Sequence, residues 1–136
     1  MPQNLTLEVK VINRFSAKNK RERYLQFVTS TKNRKKFIAD LHGGSFYEES
    51  MLEQVTGIEG DVICKALKQL GIVTRSCYVI SENTSIDTLT LSLDDVLPKV
   101  VGWGAGTMLV FGEADLLFVE LDGLKNRFIA PAAIGR

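Results

Sequence analysis

The sequence predicts an α+β domain, a mostly antiparallel sheet of about four to six strands with helices packed on one face. Three observations carry this. Helical spacing and cap residues fill most of the segment from residue 16 to 70. From residue 73 onward the chain turns to β-branched and aromatic runs broken by turn residues. Helices and strands do not alternate as they do in a βαβ nucleotide-binding sheet. The expected order is β-α-α-α-α-β-(β)-α-β-β-β. At 136 residues, with 45% apolar and 24% charged residues, the composition is that of one ordinary globular domain. Residues 1–136 therefore form a single unit, with 131–136 as a frayed tail.

Leu5, Leu7, Val9 and Val11 alternate with Thr6, Glu8 and Lys10, which predicts a first strand over about residues 4–12, with a helix as the weaker alternative. Ser16 is placed to cap a helix running to about Thr29, in which Tyr24, Phe27, Val28 and Thr31 follow the spacing of a buried stripe. A second helix runs from about Thr29–Thr31 to Leu41 and closes at Gly43-Gly44. Two capping boxes, Ser45 with Glu48 and Thr56 with Glu59, open helices over about 46–55 and 57–70.

Val73 to Glu82 reads as a central strand, Asn83 to Asp87 as a loop and Thr88 to Leu91 as a short edge strand. Ser92 opens a short helix that Pro98 should kink or end. Thr107 to Phe111 and Asp115 to Leu121 read as strands joined at Gly112-Glu113-Ala114. Asp122-Gly123 signals a tight hairpin that sets Glu120 opposite Lys125 and leads into a last strand over about 125–130.

The charge distribution is lopsided. Residues 1–40 hold ten basic and three acidic residues, and residues 41–136 hold seven basic and thirteen acidic, so a net charge of +1 conceals halves of +7 and −6. Lys32, Lys35 and Lys36 fall on one helical stripe opposite Phe37, Ile38 and Leu41. Such a stripe suits nucleic acid or another anion, and it equally suits a solvated or protein-facing surface. Lys18, Lys20, Arg21 and Arg23 scatter around their helix, and no helix-turn-helix, zinc-finger or RNP pattern accompanies them. Arg34 projects among the apolar residues of its helix, where a guanidinium needs either a carboxylate partner or an anion held in a cleft. If Arg34 or Lys35 faced the loop carrying Tyr78, Ser81, Glu82 and Asp87, a polar pocket of opposed charges would result.

Little else points to chemistry. His42, the single histidine, sits where it can cap a helix C-terminus, and a catalytic use would need Cys77, Cys64 or Ser81 beside it. One histidine and two separated cysteines supply too few ligands for zinc, so no metal or cofactor is expected. Trp103 lies in the glycine-dense segment 102–106, which follows a helix and precedes a strand, the reverse of a phosphate cradle. It reads either as a core residue at the sheet edge or as an aromatic anchor for a partner. No secretory signal or membrane span is apparent, so the expected location is the cytoplasm, with no membrane partner. The expected function is a non-catalytic binding module for another protein, including a second copy of the chain as a homodimer. Nucleic-acid or anion binding through the basic region 16–42 is the alternative, and a small hydrolase or transferase built on His42 is the third.

Overall fold

The computed structural model describes residues 3–41, 45–54, 65, 67–69, 71–72, 76–100, 106–121 and 127–131. The fold is α+β, built on a six-stranded, wholly antiparallel sheet. Its strands are β1 (Glu53–Gln54), β2 (Ser76–Ser81), β3 (Thr90–Ser92), β4 (Thr107–Phe111), β5 (Leu116–Glu120) and β6 (Arg127–Pro131), in the order β1-β6-β5-β4-β2-β3. The helices are α1 (Leu5–Phe15), α2 (Arg21–Val28), α3 (Arg34–Ala39) and α4 (Leu93–Val100), and residues 65 and 67–69 are also helical.

The expected first strand is a helix, α1. Leu7, Val11, Ile12 and Phe15 are buried at spacings of four, one and three, whereas Leu5, which alternation would bury, stays 41% exposed. Both periods are written into the first eleven apolar and polar positions. The helical one wins because it buries Ile12, which alternation would turn outward, and leaves exposed Asn13, which alternation would turn inward. Asn4 caps α1 by accepting from the Leu7 amide at 3.1 Å. Ser16 ends this helix instead of opening the next: its hydroxyl turns back to the Ile12 carbonyl at 2.6 Å. α2 accordingly starts only at Arg21, after a 3-10 turn over Lys18–Lys20, and Thr31 is exposed beyond its end.

The Ser45 capping box opens no α-helix. The Ser45 hydroxyl donates to the Asp40 carbonyl, and the segment passes through a 3-10 turn at Glu49–Met51 into β1. Phe46 and Tyr47 explain the preference, because both are buried against α2 and α3. Ring centroids lie 5.0 Å apart for Tyr24–Phe46, 5.3 Å for Phe37–Phe46 and 4.9 Å for Phe46–Tyr47. A long helix from residue 46 would carry those rings away from the cluster. The second capping box, at Thr56 and Glu59, lies outside the described residues.

Helices cover both faces of the sheet, not one. Tyr78, Ile80, Met108, Val110, Leu117, Val119 and Ala130 share a core with α1, α2 and α3. The intervening residues Cys77, Val79, Leu109, Phe111, Leu116 and Phe118 share a second core with Leu67, Ile86 and the Leu93, Val96 and Val100 stripe of α4. The unbroken apolar runs of β2, β4 and β5 are the sequence counterpart of two covered faces. The same stripe carries α4 through Pro98 to Val100, two residues past the expected break.

Two strand details also differ from expectation. Glu120 lies opposite Arg127, not Lys125, with Nε to Oε1 at 2.7 Å. The shift of two residues keeps every side chain on its expected face, and it gives a buried carboxylate the forked partner it needs. The Asp122-Gly123 turn itself lies outside the described residues. Pro131, expected in the tail, closes β6.

Candidate functional site

α3 and the β2–β3 connection face each other across a cleft of about 640 Å³. One wall is a single face of the α3 region, Thr31, Arg34, Lys35, Ile38 and Ala39, spaced as helical neighbours. The other is formed by Ser81, Glu82, Thr84, Asp87 and Thr88, with Gln3 at one end. The connection is shaped locally. Asn83 accepts from the Ser85 amide at 3.1 Å, Asp87 accepts from the Ser81 amide at 3.1 Å, and Thr88 takes φ +69° while donating to the Val79 carbonyl at 2.8 Å. A β-branched residue in the left-handed region stores strain that its neighbours must hold.

The walls are held together by Arg34. Its Nε and Nη2 donate to Glu8 of α1 at 3.0 and 2.7 Å. Its Nη1 and Nη2 donate to Asp87, the latter at 3.1 Å. Glu8 is fully buried and also accepts from Tyr78 Oη at 2.6 Å and Gln3 Nε2 at 2.6 Å. Tyr78 Oη in turn accepts from the Asn4 amide at 3.0 Å. One guanidinium therefore ties α1, α3 and the β2–β3 connection, two carboxylates sharing a single cation. Burial works against its charge, but the hydrogen bonds to Asp87 and Glu8 outweigh that and raise its pKa. Burial, together with the bond to Glu8, raises the Tyr78 pKa as well.

The sequence-predicted residues divide clearly. Arg34, Lys35, Ser81, Glu82 and Asp87 do meet in one pocket. Tyr78 lies beneath it in the core and serves the clamp, and Glu82 accepts from the Gly106 amide. Lys32, Lys35 and Lys36 are exposed. Lys36 Nζ lies 5.6 Å from the Phe27 ring centroid. No described residue forms an ion pair with Lys18, Arg23, Lys32 or Lys35. By contrast Lys10 pairs with Glu113 at 2.6 Å and Arg14 with Asp115 at 3.5 Å, so α1 spends its cations on acids of the second half and the α2–α3 surface keeps most of its own. His42, Trp103 and Cys64 lie outside the described residues.

The described candidates offer no activated nucleophile. Cys77 is buried with its thiol directed at the Leu91 carbonyl, and burial pushes its pKa up to about 12. Ser81 Oγ shares a hydrogen bond with Thr107 Oγ1 at 2.7 Å and accepts from the Asn83 amide at 2.9 Å. Among the described residues no group of three or more His, Cys, Asp or Glu side chains could hold a metal ion, and no helix is long and apolar enough to cross a membrane.

Glu8 behind the cleft, and Gln3, Thr31, Ile38, Ala39, Thr84 and Thr88 in its lining, are the members that sequence reasoning missed. The one signal for them was Glu8 itself, a lone acid within the helical stripe of Leu7, Val11 and Ile12. Compared with models of protein families, with curated proteins and with solved structures, the chain matches none.

Proposed function

We propose that this chain is a non-catalytic binding module for another protein, and that recognition takes place in the cleft between α3 and the β2–β3 connection. The observation that carries this reading is a cleft of ligand-binding size whose two walls are clamped by Arg34 before any partner arrives. A clamped cleft loses little conformational freedom on binding, which is how a small site gains affinity. Addition to the sheet edge has less to offer at β3, which is three residues long. The test is a titration of isotope-labelled protein with pooled short peptides of varied charge. Amide shifts concentrated on α3 and residues 81–88 support the reading, and shifts confined to other surfaces, or none at all, overturn it.

Nucleic-acid binding remains the second reading, favoured by the exposed cations Lys18, Arg23, Lys32 and Lys35. It requires affinity that falls steeply with salt and that drops for every sequence alike in the Lys32→Glu, Lys35→Glu, Lys36→Glu triple variant. Undiminished binding in that variant, or none by the parent protein at low salt, excludes it.

A further inference from the structure

Resting on the cleft as the binding site, we propose that its ligand is an acidic segment of a partner protein carrying an aliphatic side chain, with a carboxylate seated beside Lys35. Hydrogen-bonding capacity decides the ligand's charge. The carboxylates of the lining are engaged. Asp87 takes Arg34 through both oxygens and the Ser81 amide through Oδ1, Glu82 takes the Gly106 amide, and Glu8 behind them takes four donors. Among the charged side chains, what remains unspent is donors. Arg34 uses four of its five N–H groups on Glu8 and Asp87, leaving one on Nη1. Lys35 has no described partner, and neither have the hydroxyls of Thr31 and Thr84.

A lining whose free charged groups donate, with hydroxyls that can serve either way, favours a ligand rich in acceptors. A carboxylate answers it with a single negative charge and up to four lone-pair positions. Beside Lys35 the wall is apolar: Ile38 and Ala39 stand three and four residues on, on the same helical face, and give a short aliphatic side chain a surface to cover. Lys32, exposed one turn before Lys35, extends the positive rim to a second acidic residue.

A nucleic-acid strand fits this site less well. Glu82 and Asp87 line the same cleft and repel a run of phosphates, while a lone carboxylate can sit on the Lys35 side. Among the described residues Leu5 is the only large hydrophobic that is exposed, so no aromatic platform is there to stack a base.

The experiment measures anisotropy of a fluorescein-labelled peptide of alternating glutamate and leucine with the full chain. The controls are its glutamine–leucine counterpart, a labelled single-stranded oligonucleotide, and free glutarate as competitor. Binding of the glutamate peptide should weaken with salt. It should fall about tenfold or more in Lys35→Met and in Lys35→Glu, the loss of one charge-assisted hydrogen bond, and stay unchanged in Lys18→Glu. Because Lys35 is exposed, both variants should melt with the parent protein. Equal affinity for the glutamine peptide, still lost on blocking the cleft with Ala39→Arg, overturns the carboxylate and leaves the binding-module reading standing. Binding by the oligonucleotide in place of the peptide, or full competition by glutarate alone, overturns the peptide as ligand. An equal loss in Lys18→Glu overturns the site, and no binding by any peptide sinks this proposal and the reading beneath it together.

Discussion

Replacing Arg34 by methionine keeps the unbranched apolar stem of the side chain and deletes the guanidinium with its charge, so it tests the clamp. Four hydrogen bonds disappear, two to Glu8 and two to Asp87. At about 1.5–3 kcal/mol for each bond to a charged group, simple addition gives about 6–12 kcal/mol. That figure overshoots, because the parent protein already bears the desolvation of three charged groups. The better guide is what is left behind. Asp87, 16% exposed and still bonded to the Ser81 amide, can turn to water. Glu8 is 0% exposed and keeps only Tyr78 and Gln3, so it becomes a buried charge without a counter-ion. Breaking a buried pair from one side costs about 3–5 kcal/mol. With a urea slope of about 2 kcal/mol/M the unfolding midpoint should fall by about 2 M. The decisive measurement is the double variant Glu8→Met with Arg34→Met, which removes the stranded carboxylate and should recover at least about 2 kcal/mol of the loss. A midpoint within about 0.5 kcal/mol of the parent for Arg34→Met, or losses that simply add in the double variant, would refute the idea that one guanidinium holds three elements together.

Three further outcomes are expected. Tyr47→Phe should stabilise the protein by about 1 kcal/mol, a rise of about 3 °C in melting temperature, because the buried Tyr47 hydroxyl has no partner; a clear drop in the calorimetric midpoint would mean that the hydroxyl is satisfied after all. Gly112→Ala should cost about 1–3 kcal/mol by denaturant titration, since Gly112 has φ +64° and an added Cβ would lie 2.5 Å from the Asp115 Oδ2 that holds the Glu113 amide; an unchanged midpoint refutes that reading of the turn. In alkali, Cys77, Tyr47 and Tyr78 all keep their protons in the folded state beyond their ordinary values of 9.0 and 10.0 because burial disfavours the charged forms. Unfolded chains then release protons first, so the stability present below about pH 9 should decline as pH rises through the 9–12 window, with tyrosinate absorbance appearing together with unfolding. Tyrosinate that forms while near-ultraviolet circular dichroism stays native contradicts this.

The sheet was legible because its strands are written as continuous apolar runs between turn residues. TMLVF and LLFVE fill β4 and β5 with every residue buried. The same runs also signal two covered faces, which a sheet with helices on one face alone does not account for. The pattern of α1 is ambiguous because Leu5, Leu7 and Val9 satisfy a strand period over the stretch where Leu7, Val11 and Ile12 satisfy a helical one. Eleven residues hold too few repeats for local pattern to choose between them, and the choice falls to Ile12, Asn13 and the cap at Asn4. Arg34 was legible as an anomaly: a cation on an apolar helical face must have a partner somewhere. Which partner was not legible, because one carboxylate lies 26 residues before it and the other 53 after. Only the closed sheet brings Glu8, Tyr78 and Asp87 to the same point.

The first three helices pack on one another and on Phe46 and Tyr47, but their core is closed only by the sheet. Its contributors there include Tyr78, Met108, Val119 and Ala130, residues that come much later in the chain. A ribosome releasing this protein from its N-terminus therefore emits an amphipathic, cation-rich stretch long before its platform exists. During that interval Leu7, Val11 and Phe15 lack the sheet that covers them, and Glu8 is still without its tyrosine. The fold thus ties residues 5–39 to strands formed by residues 76–131. Until those strands follow, the greasy faces of the helices are open to aggregation.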